Sequence, residues 1–374
     1  MSIGVFACCP TRQSSASSAP SAVFQISDGS NRGGRRGRGG KRDRVGATHH
    51  YRDLTNEVYS LSMLGALIID KPEGITSHDV VARVRRIMGM RRVGHAGTLD
   101  PFATGVLVVC IGRATRLVQF LVGLDKEYLA TVRLGFATDT QDRTGKQITP
   151  LRTSNELSLE DLRTVLDEFT GPHLQTPPMF SAKKVGGERL YKAAREGRDV
   201  THEPVNIVIH SAEVIEDVGV GLAMNDDGTR DFKLRVRCSS GTYVRTLAND
   251  IGERLGIGAH LTELRRTAVG HFGIAESRTL NEMEAMSRED ACALLISPGE
   301  MLSHLRTVVL DEDRIKRVSS GRSFQLSQAE TPPLEQQRLP VKLCDREGGL
   351  VAVGYYDPGM QVVSPRIVLD AEAT

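Results

Sequence analysis

Residues 94–105 (Gly-His-Ala-Gly-Thr-Leu-Asp-Pro-Phe-Ala-Thr-Gly) constrain the fold most, because they form a loop with one carboxylate that leads directly into an apolar run. That run, residues 106–111, has the length of a strand and is bounded by glycines. Asp100 precedes a proline and is therefore disfavoured in helix. The pattern predicts a buried strand with a carboxylate at one end. On spacing alone, Asp100 is either a plain turn residue or an acid facing a cleft.

Length and composition indicate a globular protein with enough hydrophobic residues to form buried cores. The 374 residues suggest two domains, 40% are hydrophobic, and no apolar run approaches the ~20 residues that span a membrane. The six cysteines are scattered and lack zinc-ligand spacing, so we expect neither disulfides nor a metal and favour the cytoplasm. Cys110 and Cys238 lie in strand-like surroundings and are expected to be buried.

The first sixty residues have a different composition from the rest of the chain. Residues 1–50 carry eight Lys/Arg against two Asp/Glu, whereas the remainder carries 40 against 44. We expect residues 1–60 to be a disordered Ser/Gly/Arg-rich tail. Its role stays open between a solvated segment, an RNA-binding arm, a targeting segment and a mis-assigned start before Met63. Any RNA-binding surface on the body must be a local basic face.

Hydrophobic periodicity predicts alternating strands and helices along the body. Predicted strands cover residues 64–69, 106–111, 128–135, 205–218 and 232–238, the last two joined by an acidic loop. Predicted helices follow the caps Ser77, Ser158 and Thr242, and others cover residues 113–121, 189–195, 259–266 and 282–295. Residues 175–184 are too rich in proline for a central strand and are expected to form a loop. Beyond residue 305 the pattern becomes short and strand-rich.

Arginines cluster just upstream of the Asp100 loop, and their role stays open. Arg83, Arg85 and Arg86 lie on the polar side of the helix predicted after Ser77, and Arg91 and Arg92 follow it. They are either a solvated helix face or contacts to RNA phosphates.

Several motifs, in order and at fitting spacing, resemble the TruB family, the tRNA pseudouridine-55 synthases. The Gly-His-Ala-Gly-Thr-Leu-Asp-Pro segment carries the first part of the resemblance. It continues through residues 175–183 (Gln-Thr-Pro-Pro-Met-Phe-Ser-Ala-Lys), 189–191 (Arg-Leu-Tyr), 194–197 (Ala-Arg-Glu-Gly), 239–246 (Ser-Ser-Gly-Thr-Tyr-Val-Arg-Thr), 258–261 (Gly-Ala-His-Leu) and 264–267 (Leu-Arg-Arg-Thr). It extends from about Met63 to the C-terminus.

This resemblance implies an α/β (α+β) pseudouridine synthase fold. Its features are a long mixed, mainly antiparallel sheet, flanking helices and a small C-terminal PUA-like β-barrel module. The expected organisation is a tail at residues 1–60, a catalytic domain at 61–303 and an RNA-binding module at 304–374. The family reaction breaks the N1–C1′ bond of a uridine, turns the base and joins C5 to C1′. It needs a carboxylate, a partner cation and a pocket for an extruded base, and no cofactor or metal.

The resemblance also implies site roles for six residues. Asp100 matches the catalytic aspartate, and Arg245 matches the arginine that pairs with it and is expected to lower its pKa. The remaining four are Tyr243 as the candidate acceptor of the C5 proton, Tyr128 stacking on the flipped base, Leu264 as an apolar wall and His95 holding the T-loop. From the residues alone, the tyrosines could be packing residues, Arg245 a surface cation, His95 a loop hydrogen-bonder and Leu264 core.

The expected substrate is tRNA, bound at the T-loop and the acceptor-stem side by a monomer that requires no protein partner and no membrane. Two alternatives remain. One is a guide-RNA-dependent pseudouridine synthase, and the other is an RNA-binding protein or tRNA-folding chaperone without catalysis.

Overall fold

The computed structural model describes residues 63–153, 157–180, 203–215, 222–327 and 337–369, with short stretches at 184–185, 188–189, 196 and 198. The predicted tail at residues 1–60 lies outside the described residues. So does most of the helix predicted at 189–195, of which Arg189 itself belongs to a short strand.

A large mixed sheet organises the structure. The strands up to residue 279 are, in chain order, β1 (Gly65–Lys71), β2 (Val93–His95), β3 (Thr104–Ile111), β4 (Lys126–Leu134), β5 (Gly171–Gln175), β6 (Lys184–Val185), β7 (Glu188–Arg189), β8 (Val205–Ile215), β9 (Ala223–Met224), β10 (Arg230–Cys238), β11 (Ala259–Val269), β12 (Phe272–Gly273) and β13 (Arg278–Thr279). The main sheet runs β13-β1-β3-β11-β4-β10-β8-β5; β2, β9 and β12 pair with its members, and β6 and β7 form a separate hairpin. The β1/β13 and β3/β11 pairs are parallel and the other pairs of this sheet antiparallel, as predicted.

Helices cover the sheet by burying their apolar faces. They are α1 (Ser77–Met88), α2 (Val118–Leu121), α3 (Leu159–Phe169), α4 (Val244–Arg254), α5 (Leu280–Ala285), α6 (Arg288–Ala293), α7 (Pro298–Met301) and α8 (Glu312–Ser319), with 3-10 turns at Gly112–Leu117 and Ile274–Glu276. Helices α3 and α4 share a core with β4, β8 and β10. Helices α1, α5 and α6 pack on β1 and β3. The capped helix predicted from Ser158 to Phe169 is confirmed.

Strand alternation is confirmed where the sequence shows it most clearly. Every second residue of β4 from Lys126 to Leu134 is buried. In β10, Leu234, Val236 and Cys238 are buried and the three basic residues between Phe232 and Cys238 are exposed. One face of this strand therefore packs on the core while the other is charged. Cys110 is also buried, as expected.

The helix predicted at residues 259–266 is wrong, because this segment is strand β11. It pairs along its whole length with β4, and at Arg265 and Arg266 with β3. Two bulges, between Leu261 and Glu263 and between Arg266 and Ala268, interrupt its pairing with β4. Each bulge shifts the in-out alternation by one residue, so the apolar spacing imitates a helix.

The helix predicted at residues 282–295 is also wrong, since the chain forms two short helices there. Ser287 caps a new helix, α6, with its hydroxyl accepting from the backbone N–H of Asp290. Pro298 begins the next helix, α7. Two caps shift by one residue: Thr76, not Ser77, caps α1, and Tyr243, not Thr242, is the N-cap of α4.

The C-terminal residues form a curled five-stranded sheet, in agreement with the predicted strand-rich module. Its strands are β14 (Arg306–Val309), β15 (Phe324–Gln325), β16 (Leu339–Cys344), β17 (Leu350–Asp357) and β18 (Val362–Val368), in the order β14-β16-β17-β18-β15. This sheet shares a hydrophobic core with β1, β3 and α2. Arg113 and Arg116 donate to the carbonyl oxygens of Leu369 (2.8 Å) and Val368 (2.9 Å).

Candidate active site

The loop between β2 and β3 carries Asp100, and a buried lysine holds it from one side. Lys71, the last residue of β1, is fully buried. Its Nζ donates to the carbonyl oxygens of Ala103 (2.6 Å) and Pro101 (3.2 Å). Desolvation lowers the pKa of Lys71 to about 8, while the charge of Asp100 raises it. The backbone that follows Asp100 is therefore anchored to β1.

A buried arginine of β11 holds the other end of the loop. Arg266 is 1% exposed and donates to the carbonyl oxygens of Val106 (2.8 Å), Gly97 (3.1 Å) and Thr98 (3.3 Å). Gly105 permits this approach: its φ is +101°, and a Cβ there would collide with the carbonyl oxygen of Arg266.

Helix α1 adds a third anchor through Ser77. Its hydroxyl accepts from the backbone N–H of Leu99 (2.9 Å) and donates to the carbonyl oxygen of the same residue (3.1 Å). Both flanks of Asp100 are therefore fixed before any substrate arrives.

Asp100 and Arg245 form the ion pair expected from the sequence. Nε of Arg245 lies 2.9 Å from Oδ2 of Asp100. Arg245, the second residue of α4, has a side chain only 4% exposed, whereas the side chain of Asp100 is 37% exposed. The cation is thus embedded in protein, and the carboxylate faces an opening.

The remaining contacts of Arg245 fix its guanidinium in one orientation. Nη1 donates to the carbonyl oxygen of Thr140 (2.8 Å), and Nη2 donates to that of Phe180 (2.9 Å). A second carboxylate, Asp142, lies 3.7 Å from Nη1 and is itself buried. Oδ1 of Asp142 accepts from the hydroxyls of Thr140 (2.8 Å) and Thr144 (2.6 Å).

Burial raises the pKa of Asp100 above its ordinary value. Desolvation is the largest cause, the charge of Arg245 opposes it, and the charge of Asp142 adds to the rise. Arginine pairing does lower this pKa, as the sequence suggested, but desolvation outweighs it. The net shift of the pKa of Asp100 is therefore upward.

A cavity of about 340 Å³ opens beside the carboxylate and brings five of the six predicted site residues together. These five are Asp100, Tyr128, Tyr243, Arg245 and Leu264. Val122, Lys126 and Arg266 also contribute to the lining, with backbone-rich segments around Gly97 and Gly241. A carboxylate, two phenols and an apolar wall around one cavity suit a planar base with an attached sugar.

Tyr128 and Leu264 are two buried members of this lining. Tyr128 is 8% exposed on β4, and Leu264 is 7% exposed on the neighbouring strand β11. Burial raises the pKa of the Tyr128 phenol, although the nearby Arg266 lowers it. The Tyr128 phenol is therefore neutral at physiological pH.

His95 does not line this cavity among the described residues. It ends β2, where it pairs with Val109, and its ring meets that of His78 edge-on at 5.3 Å between centroids. Burial, together with the charges of His78 and Arg266, lowers the pKa of His95 to about 4. The imidazole is therefore neutral at physiological pH.

Three residues of the site escaped sequence analysis: Lys71, Asp142 and Arg266. Lys71 and Asp142 lie in turn-like sequences, and the basic run at Arg266 was assigned to a helix. Pairing of β11 with β3 is what brings Arg266 to the loop. The Thr-x-Asp-x-Thr spacing around Asp142 is the one local pattern that indicates a carboxylate held by hydroxyls.

Comparison with known proteins agrees with this geometry. Residues 85–244 match the model of the N-terminal domain of TruB family pseudouridylate synthases. Residues 245–314 match the C-terminal domain of tRNA pseudouridylate synthase B. The tRNA pseudouridine synthase B of Solibacter usitatus is 43% identical over 293 residues, which cover 78% of this chain and 95% of that protein. The chain belongs to the TruB family.

Two further comparisons extend the TruB relationship. The tRNA pseudouridine synthase B of Opitutus terrae is 47% identical over 222 residues, 59% of this chain and 88% of that protein. Among solved structures, a chain in a Cbf5-Nop10-Gar1 complex superposes with a TM-score of 0.62 at 26% identity, covering 84% of this chain and 86% of that one. The pseudouridine synthase fold expected from the resemblance is thereby confirmed.

Across the described residues, no group of three or more His, Cys, Asp or Glu side chains is arranged to hold a metal ion. No helix of the described part of the chain has the length and apolar character needed to cross a membrane.

Proposed function

We propose that this protein converts a uridine of the tRNA T-loop, at position 55, to pseudouridine. The observation that supports this most is the Asp100–Arg245 pair at the edge of a cavity lined by Tyr128, Tyr243 and Leu264. The curated relatives at 39–47% identity, all named tRNA pseudouridine synthase B, support the same substrate class.

Asp100 acts as the carboxylate that the isomerisation requires. Nε of Arg245 contacts Oδ2, and Oδ1 is the oxygen that meets the substrate. Oδ1 attacks the sugar or the base, or removes a sugar proton, as the N1–C1′ bond breaks. When C5 joins C1′, the carboxylate is released or the sugar proton is returned, C5 loses its proton and N1 gains one. Arg245 keeps the carboxylate charged in a site whose burial favours the neutral acid. The isomerisation neither adds nor removes atoms from the uridine apart from exchange of the C5 proton.

The two tyrosines and Leu264 receive the extruded base. Tyr128 stacks on uracil, an interaction of roughly 1–3 kcal/mol per base, and Leu264 closes the opposite wall. Tyr243, two residues from Arg245, accepts the C5 proton. His95, which is not part of the cavity lining, helps to hold the T-loop after the target base has left it.

The C-terminal sheet, within residues 304–374, binds the acceptor-stem side of the tRNA. The position of the sheet supports this role. The shared core and the hydrogen bonds from Arg113 and Arg116 fix the sheet against the catalytic domain at residues 61–303. Recognition is then by folded shape and phosphates. The protein acts in the cytoplasm as a monomer without a protein partner.

Purified protein incubated with an unmodified tRNA transcript tests this proposal. We expect pseudouridine at position 55 without added guide RNA or other protein. It is located by mass spectrometry of nuclease fragments after a chemical label selective for pseudouridine, because the unlabelled isomers have the same mass. Product only when a guide RNA and partner proteins are added would favour the guide-dependent alternative. Stable tRNA binding without product would favour the chaperone alternative, and either result would overturn the proposal.

A further inference from the structure

Helix α4, which carries Arg245, is capped differently from other helices of this protein. Helices α1, α3, α5 and α7 each begin with a capping box, in which the third residue's carboxylate accepts from the N-cap N–H. The N-cap of α4 is Tyr243, whose side chain makes no cap hydrogen bond. The N-terminus of α4 therefore relies on groups from elsewhere in the chain.

A distant glutamine takes the part that the third residue plays in a capping box. Gln175, the last residue of β5, is 2% exposed. Its Oε1 accepts from the backbone N–H of Tyr243 (2.8 Å), and its Nε2 donates to the carbonyl oxygen of Tyr243 (3.1 Å). One side-chain amide thus satisfies both backbone groups of a residue 68 positions away.

The same segment also reaches the catalytic arginine. Five residues after Gln175, the carbonyl oxygen of Phe180 accepts from Nη2 of Arg245 at 2.9 Å. Between them lie Pro177 and Pro178, which are both buried and restrict the backbone. Residues 175–180, here called the brace, therefore contact α4 at Tyr243 and at Arg245.

We propose that Gln175 is a positioning residue, and that the brace holds the Tyr243 backbone and the Arg245 guanidinium in register with Asp100. This inference rests on the proposed function and deepens it, since it names what aligns two groups of that site. Nε of Arg245 makes the 2.9 Å contact to Asp100, while Nη1 and Nη2 donate to the carbonyl oxygens of Thr140 and Phe180. A small rotation at the start of α4 therefore breaks it, and misplacement of about 1 Å costs on the order of 10²-fold in rate.

Gln175→Met tests this, because methionine keeps the length of the side chain and removes both hydrogen bonds. The full-length variant and wild type are compared in single-turnover pseudouridine formation on a tRNA transcript, as a function of pH. Gln147→Met is the matched control, since Nε2 of Gln147 donates to a backbone carbonyl, that of Thr149, on an exposed loop. Gln175→Asn, whose amide is one methylene short, is measured by the same criteria should Gln175→Met fail to fold.

We expect a rate about 10²-fold below wild type, with tRNA affinity within about threefold. We also expect the acid limb of the pH–rate profile, where the rate falls at low pH, to move to higher pH. The reason is that a displaced Arg245 lowers the pKa of Asp100 less. A purely structural role would reduce the active fraction without moving that limb. An unchanged limb, or a rate like that of Gln147→Met, would overturn the assignment of Gln175. Inactive wild type would instead overturn the proposed function itself.

Discussion

Nε of Arg245 lies 2.9 Å from Oδ2 of Asp100, and the two side chains differ sharply in exposure, at 4% and 37%. The guanidinium is immobilised by the carbonyl oxygens of Thr140 and Phe180. The carboxylate, in contrast, reaches the cavity from a loop anchored on both flanks. This arrangement presents one oxygen to a substrate while the other is held, which suits a site where a single acid performs the chemistry.

Arg245→Lys should lower the rate of pseudouridine formation by about 10²-fold. Lysine keeps the charge but cannot contact Asp100, Thr140 and Phe180 together in the geometry of a planar guanidinium. Single-turnover kinetics with saturating enzyme measures this effect. Arg235→Lys, on the exposed face of β10, serves as the control and should behave like wild type. A rate for Arg245→Lys near that of wild type would show that charge alone is sufficient.

The acid limb of kcat/KM should lie above 3.8, the ordinary pKa of aspartate. Burial raises the pKa of Asp100, so the ionised and active form is lost at a higher pH. Asp142 also raises this pKa by charge repulsion. Asp142→Asn should therefore move the limb to lower pH, as measured by a pH profile of kcat/KM. A limb that moves upward in this variant would contradict the assigned electrostatics.

Lys71→Met should destabilise the protein by about 1–3 kcal/mol, because the carbonyl oxygens of Pro101 and Ala103 lose a buried donor. Urea unfolding at pH 7 measures the change. The pH dependence has a definite sign: the folded-state pKa is about 8 against 10.5 for the free side chain. Wild type is therefore stabilised by this group as pH rises from about 8 to 10.5. In Lys71→Met, the free energy of unfolding should not rise over this pH range. A rise as large as that of wild type would mean that another group causes it.

Much of the fold was predictable because it follows local rules. Strands β3, β4 and β10 show clear hydrophobic patterns, and Ser158 begins α3 with a capping box. Strand β11 was not predictable, because its bulges between Leu261 and Glu263 and between Arg266 and Ala268 disturb the two-residue period. Its strand character comes from pairing with β3 and β4, which no local pattern encodes.

The residues of the site also divide into those that a sequence motif identifies and those that depend on tertiary structure. Asp100 and Arg245 were identified through motif resemblance, and the structure places them in contact. Lys71 and Arg266 were missed because a buried lysine and a buried arginine are improbable from composition, since each must find several oxygen partners. Those partners are loop carbonyls, and carbonyl positions depend on tertiary structure.

His95 should stay neutral throughout the range in which an ordinary histidine titrates. Burial lowers its pKa to about 4 from the ordinary 6.5. Between those values the unfolded chain binds a proton that the folded chain does not, so stability falls as pH falls from about 6.5 to 4. NMR titration of the His95 imidazole measures the midpoint. The same signal in urea should titrate near 6.5, and a native midpoint there would refute the burial assignment.

Tyr128→Phe should retain most substrate affinity, whereas Tyr128→Ala should lose it. Phenylalanine keeps a ring for the base to stack on, and that contact is worth roughly 1–3 kcal/mol. Binding of a tRNA carrying 5-fluorouridine at position 55 to both variants measures the difference. Equal affinities would show that the ring of Tyr128 does not meet the base.

Pseudouridine formation by Asp100→Asn tests the central claim most directly. The substitution preserves shape and removes the charge, and Asp167→Asn on the exposed face of α3 is the matched control. After chemical labelling selective for pseudouridine, mass spectrometry of the tRNA product should show no pseudouridine with Asp100→Asn and full conversion with Asp167→Asn. The tRNA affinity of Asp100→Asn should stay within about threefold of wild type. Pseudouridine formed by Asp100→Asn at a wild-type rate would contradict the role of this carboxylate.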